Sequence, residues 1–332
     1  MSVKQFHKRI EVAVRLDVFL RENLPAFFEK NNMRCVLSNS KIRRLIVAGA
    51  ITVNNRQIRI PGYELNIGSE VTAFIDEDKF FFEKQPDDIH FELTEKDVLF
   101  EDEYLILVNK PPFFPTEATI VGNRDNLHDA VVRYLWNNNP ALRNPPYVGI
   151  MHRLDRETSG VILFTKQRSV NAAVHQMFDS SSGHSAKKVY RAVCDLASAH
   201  CGSAMKLQNE KSGFEFCVEM FMGRISSKSQ AAKWGRLPEN RGGLFSHTDF
   251  TVLQKMVLKS GKEAVVVEAR PSTGRTHQIR VHLASVGLPI MGDELYGSKS
   301  EGRIMLHACS LEFVHPVIGE KLKIEAPLPE GF

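Results

Sequence analysis

Short apolar runs of strand length outnumber helical patterns in this 332-residue chain, and the two do not alternate regularly. The runs that read as strands are Val98–Phe100, Leu105–Val108, Val161–Thr165, Val189–Val193, Ala264–Ala269, Met305–Val314 and Lys321–Ala326. Helical spacing marks 127–135, a stretch capped by Ser169 and carrying Val170, Ala173, Val174, Met177 and Phe178, and 276–285, which Gly287 and Pro289 stop. A doubly wound parallel sheet needs a crossover, usually a helix, between successive strands. This order therefore predicts an α+β fold on a mainly antiparallel mixed sheet.

The first part of the chain reads as a smaller α/β unit. Leu16, Phe19, Leu20 and Leu24 recur at helical spacing until Pro25, which is expected to end the helix. A second helix is expected from Ser40 as N-cap to Ala48, with Gly49 as its stop. Its apolar face is Ile42, Leu45 and Ile46, which leaves Lys41, Arg43 and Arg44 mostly outside the stripe. Asn54-Asn55 between Ile51–Val53 and Gln57-Ile58 is a two-residue hairpin signal. The acidic stretch 76–88 reads as a linker. We expect one domain at 1–85, linker included, and a second at 86–332, in which the weakly periodic residues 197–248 form an insertion.

The net charge of +4 conceals an uneven distribution. Residues 1–60 carry a balance of +8, residues 61–103 one of −11, and residues 104–332 one of +7. Basic regions at both ends suit a polyanionic partner, although unevenly charged solvated surface gives the same counts. Five cysteines without C-x-x-C spacing argue against a disulfide framework and against a zinc knuckle, and fit the cytoplasm. No apolar run approaches the roughly 20 residues of a membrane span, and the first residues lack a signal-peptide core. A monomer is the default expectation.

Two polar clusters interrupt the apolar pattern: His152-Arg153-Leu154-Asp155-Arg156-Glu157-Thr158-Ser159-Gly160 before one strand, and Arg270 to His282 between a strand and a helix. Asp155 stands between two arginines, which favour a charged carboxylate. Arg275 is expected near a helix N-terminus, where the dipole disfavours a cation, so a phosphate or carboxylate partner is expected. Ordinary surface turns with salt bridges are the bland alternative. His277 and His282 are five residues apart, not the four of a helical metal pair. Neither a dinucleotide fingerprint nor a P-loop is present. Ser159 lacks the G-x-S-x-G elbow. A glycoside hydrolase would need a second carboxylate near Asp155, and Glu157 fits capping or solvent better.

Residues 152–160, HRLDRETSG, closely resemble the active-site motif of the RluA-type RNA pseudouridine synthases. STGRTHQIRVHLASVGLPIMGDELYG at 272–297 resembles that family's C-terminal motif, EDEYLILVNKPP at 101–112 its first, and Lys188 to Ala192 its tyrosine motif. RLDVFL at 15–20, SKIRRLIVAGAITVNN at 40–55 and GSEV at 68–71 resemble an S-four-type RNA-binding domain. The resemblance implies that Asp155 is the nucleophile, that Tyr190 stacks on the target base and takes part in proton removal, and that Arg280 pairs with the aspartate. Arg275 is the alternative for that pairing, or a phosphate contact. Arg153 is expected to fill the space of an extruded base, and His152, His277 and Lys188 to lie against substrate. Lys41, Arg43 and Arg44 are expected on RNA phosphates. Lys110 reads as completing its turn.

The implied isomerisation neither oxidises nor hydrolyses anything, so no cofactor and no metal is expected. The expected partner is RNA, ribosomal large-subunit RNA first and transfer RNA as the alternative. A non-catalytic RNA-binding or ribosome-assembly factor on the same fold is the competing class. Three departures from the family's pattern, Phe113-Phe114-Pro115-Thr116-Glu117 after the lysine-proline step, Cys194-Asp195 after the tyrosine motif, and the length of residues 197–248, bear on substrate identity.

Overall fold

The computed structural model describes residues 3–31, 37, 39–76, 89–117, 125–179, 186–196, 212–226, 232–257, 261–298 and 302–332. Nearly all of the expected linker and parts of the expected insertion lie outside the described residues. The chain forms two compact units, Met1–Asp88 with Ala118–Asp125, and Ile89–Glu117 with Asn126–Phe332.

In the first unit, β1 (Val3–Arg9), β6 (Glu70–Asp76), β3 (Ile51–Val53) and β4 (Arg56–Ile58) form an antiparallel sheet in that order. β2 (Val14–Arg15) pairs separately with β5 (Glu64–Leu65). The hairpin between β3 and β4 has Asn54 at φ 49 and Asn55 at φ 63, the double left-handed geometry that asparagine tolerates. Helix α1 (Leu16–Lys30) buries Leu16, Phe19, Leu20, Leu24 and Phe28. It therefore continues past Pro25, where the sequence pattern predicted an end. The missing N–H costs one helical bond, but Pro25 faces solvent while Phe28 extends the buried stripe. Helix α2 (Asn39–Ala48) buries Ile42, Leu45 and Ile46 and exposes Arg43.

The second unit is built on one large sheet. Its strands are β7 (Val98–Glu101), β8 (Leu105–Lys110), β9 (Gly149–Ile150), β10 (Ser159–Thr165), β11 (Lys187–Asp195), β12 (Glu215–Arg224), β13 (Trp234–Arg236), β14 (Leu244–Val257), β15 (Glu263–Pro271), β16 (Leu306–Val314) and β17 (Lys321–Glu325). The order is β13-β12-β14-β15-β11-β16-β10-β8-β7, with β9 on β10 and β17 on β16. Among the described residues every pair is antiparallel except β10 with β16. The α+β expectation with a mainly antiparallel sheet holds. Helices α3 (Leu127–Asn137), α4 (Asn171–Phe178) and α5 (Gln278–Ser285) complete the unit.

Two apolar cores flank the middle of this sheet. One gathers β8, β10 and α3 around Phe114, Leu154 and Phe164. The other gathers β12, β14, β15 and α5 around Phe250, Val267 and Leu283. Tyr190 packs against both. The single parallel pairing joins Ser159 to His307 and Gly160 to Ala308. Gly160 has φ 113, and a Cβ there would collide with the Ala308 carbonyl, so only glycine fits.

Candidate active site

Asp155 lies in the turn that leads from β9 into β10. Side chains from two other segments grip this turn on either side of it. Thr116 Oγ1 donates to the Leu154 carbonyl at 2.8 Å and accepts the Leu154 N–H at 3.3 Å. Lys110, at the end of β8, donates through Nζ to the carbonyls of Arg156 at 2.9 Å and Pro111 at 2.8 Å. The Thr158 N–H closes the turn onto the Asp155 carbonyl at 3.1 Å. Lys110 is fully buried, and burial pushes its pKa down to about 7 against the attraction of Glu157 and Asp155. The lysine is thus a tie between two chain segments rather than the completion of its own turn alone.

Arg280, on the first turn of α5, reaches Oδ2 of Asp155 through Nη1 at 3.3 Å. Its other edge is clamped by Asp293, with Nε to Oδ2 at 2.7 Å and Nη2 to Oδ1 at 2.9 Å. Arg280 and Asp293 are both nearly inaccessible, and the guanidinium lies over the Tyr296 ring at 5.2 Å. Burial works against the Arg280 charge, but the Asp293 hydrogen bonds and charge outweigh it and the pKa moves up. A planar guanidinium fixed along one edge can offer the other in one orientation only. His277, which precedes α5, places Nε2 3.8 Å from the same Asp155 oxygen. Tyr190 projects from β11 beside a register shift at Val189 and Tyr190. Burial, and then the Asp155 charge, push its phenol pKa up, so the ring stays neutral.

The structure therefore brings Asp155, Arg280, His277 and Tyr190 together. Arg275 goes elsewhere: its Nε donates to the Phe245 carbonyl at 3.0 Å and its N–H to Gln278 Oε1 at 3.0 Å. The cation at this helix start is thus met by a backbone carbonyl, where the sequence suggested a phosphate or carboxylate. Arg153 is exposed and pairs with Glu117 at 2.5 Å. His152 accepts the Leu163 N–H at 3.0 Å and stacks on Phe178 at 4.2 Å. Burial, then the Lys188 charge, lower its pKa to about 3, so it is neutral. Lys188 donates to the Thr273 carbonyl at 3.5 Å, and burial lowers its pKa. In the first unit Arg43 is exposed and Lys41 half-buried on α2, and the Arg44 side chain lies outside the described residues.

Sequence reasoning did not single out Thr116, Asp293, Tyr296 or Trp234. Asp293 and Tyr296 belong to the polar tail MGDELYG that follows the apolar Leu288–Ile290, and an acid placed there was the available signal. Thr116 was marked only as part of the departing stretch 113–117, and Trp234 carried no signal, because its contact joins segments far apart in the chain. Phe113 is a further local oddity: it holds φ 61 with the Arg156 guanidinium 5.6 Å above its ring. Among the described residues no group of three or more His, Cys, Asp or Glu could hold a metal ion, and no described helix is long and apolar enough to cross a membrane.

Residues 104–285 match the RNA pseudouridylate synthase family, and residues 31–71 match the S4 domain. The ribosomal large subunit pseudouridine synthase C of Escherichia coli is 31% identical over 97% of this chain and 91% of that protein. The protein of the same name from Vibrio cholerae is 29% identical over 95% and 89%. An uncharacterized RNA pseudouridine synthase of Bacillus subtilis is 34% identical over 72% of this chain and 70% of its own. Among solved structures, human RNA pseudouridylate synthase domain containing 4 superposes with a TM-score of 0.50 at 22% identity, covering 71% of this chain and 89% of that one.

Proposed function

Since this chain belongs to the RNA pseudouridylate synthase family, we propose that it isomerises specific uridines of large-subunit ribosomal RNA with Asp155 as the attacking carboxylate. The observation that carries the residue assignment is the Arg280 guanidinium, held by Asp293 and aimed at Asp155. The ribosomal assignment is supported by the names of relatives that align over nearly the whole chain. The S4 match over residues 31–71 supports reading residues 1–85 as an appended RNA grip. The cytoplasm is the compartment such a substrate implies.

In the reaction the bond between ribose C1′ and uracil N1 breaks and one between C1′ and C5 forms. The C5 proton is lost and N1 gains one, so nothing is oxidised or hydrolysed. Asp155 acts on the ribose or the base as the covalent or proton-removing group, and Arg280 keeps it oriented. Uridine stacked in a helix hides these atoms, so the base is flipped into the site. Tyr190 offers the flipped uracil a rigid face and a neutral hydroxyl near Asp155. Its raised pKa makes it a relay for the C5 proton rather than a free phenolate base.

The test is a pseudouridine map of total RNA from cells with the protein, without it, and with Asp155→Asn. The expected result is one or more large-subunit sites lost in both altered strains, with the variant binding RNA within a few-fold of wild type. Loss at transfer RNA positions instead would redirect the substrate. Sites retained in the Asp155→Asn strain would refute the residue assignment, and an unchanged map with defective subunit assembly would favour a non-catalytic factor.

A further inference from the structure

His277 is held in a backbone conformation that non-glycine residues rarely adopt, with φ 56 and ψ 20, directly before α5. Strain of this kind persists where surrounding contacts hold it, and here the contacts are polar. The Nδ1 of His277 lies 2.9 Å from the Tyr296 hydroxyl. That hydroxyl oxygen accepts the backbone N–H of Trp234, on the edge strand β13, at 3.0 Å.

A backbone N–H can only donate, so one acceptor position of the phenol oxygen is filled. The phenol's own proton is then in place for His277 Nδ1. An imidazole that accepts at Nδ1 carries its proton on Nε2, and Nε2 is the nitrogen facing Asp155. The opposite tautomer would set a lone pair against the carboxylate and a second donor against an oxygen already served by Trp234. Burial disfavours a charged ring while Asp155 favours one, and burial prevails, consistent with a neutral imidazole that has one proton to place.

Arg280 Nη1 and His277 Nε2 address the same oxygen of Asp155, Oδ2, at 3.3 and 3.8 Å. The second distance exceeds a hydrogen bond, and such contacts commonly tighten when substrate is bound. We propose that His277 is a positioning residue for Asp155: fixed as its Nε2–H tautomer by Tyr296 and Trp234, it holds Oδ2 together with Arg280 and leaves Oδ1 to meet the substrate. The edge strand β13 thereby reaches the reacting carboxylate through one phenol and one imidazole. The proposal rests on Asp155 being the reactive group.

Tyr296→Phe in the full chain removes only the hydroxyl and tests this directly. The ring nitrogens of His277 are read by ¹⁵N NMR of histidine-labelled protein. Turnover is read by tritium release from a large-subunit ribosomal RNA transcript carrying 5-tritiated uridine. Wild type should show a pyridine-type Nδ1 and a pyrrole-type Nε2. Tyr296→Phe should mix the tautomers and lower kcat about tenfold or more, with KM within about two-fold. His277→Asn keeps a residue that tolerates this backbone conformation, should lower kcat at least as much, and serves in place of the first variant should that one fail to fold. A pyrrole-type Nδ1 in wild type, full kcat in either variant, or an effect confined to KM would overturn the proposal. Asp155→Asn separates the two readings. A dead Asp155→Asn beside a fully active Tyr296→Phe rejects His277 alone, whereas an active Asp155→Asn rejects both.

Discussion

A fully buried lysine beside the turn that carries Asp155 ties stability to pH. Burial disfavours the Lys110 charge and lowers its pKa from the ordinary 10.5 of a free lysine to about 7. Between those values the unfolded chain holds a proton that the folded chain has released, so stability rises with pH through this window. Below pH 7 both states are protonated and the cost of the buried charge is fully present. Lys110→Met removes the titration. The wild-type unfolding free energy relative to Lys110→Met should therefore climb between pH 7 and pH 10, by up to about 4 kcal/mol. Urea titrations at several pH values measure it, and a flat difference would mean the lysine is not buried as described. The same variant removes the Lys110 hydrogen bond to the Arg156 carbonyl and should slow tritium release. At this scale the polar clusters drew attention to the segments that hold Asp155 and Arg280, and the pairing of the two came from the resemblance to the family's motifs. It did not expose Asp293 or Thr116. Their significance lies in hydrogen bonds across 13 and 38 residues of chain, of which an acid beside an apolar run is the one local trace.

The elements show the same division between local and distant causes. Strands β8 and β10 were legible as apolar runs because they are covered on both faces, as β10 is throughout, whereas β14, with its mixed burial, was not. Strand β12 was not, because its burial alternates with exposed Glu215, Cys217 and Glu219, and its neighbours in sequence are polar. Helix α5 starts two residues later than its apolar spacing predicted, since His277 breaks the helical backbone to turn its ring toward Asp155. Among the described residues of the second unit, the non-glycine residues with positive φ are Phe113 and His277. The first leans on Arg156, beside Asp155 in the chain, and the second faces Asp155 itself. The parallel contact of β10 with β16 is the element-scale weak point. Gly160→Ala would drive a methyl group into the Ala308 carbonyl in a conformation that alanine disfavours. We expect a loss of about 2 kcal/mol or more in unfolding free energy. Activity should fall further than that loss implies, because Asp155 sits on the turn feeding this strand. Denaturant curves and turnover on the same preparation give both numbers, and wild-type behaviour in both would remove the proposed reason for the glycine.

Over the whole molecule, charge separates into regions with different work to do. The balance of +8 in residues 1–60 falls on the unit that contains the S4 match, and the −11 of residues 61–103 spans the end of that unit and the start of the second. Phosphate contacts release counterions, so each one adds to the salt dependence of binding, with a slope of about 0.7 for single strands and 0.9 for duplex. If Lys41, Arg43 and Arg44 each meet one phosphate, replacing all three by alanine should lower the slope of log K against log salt by about 2 to 3. The decrease should appear on full-length ribosomal transcripts and be small on a minimal hairpin presenting only the target uridine. Turnover of that hairpin should stay close to wild type, because these residues belong to a different compact unit from Asp155. Filter binding between low and physiological salt, paired with tritium release on both RNAs, separates the outcomes. An unchanged slope on the long transcript would take the RNA grip away from α2, whereas a lost hairpin turnover with an unchanged slope would make the basic helix part of catalysis instead.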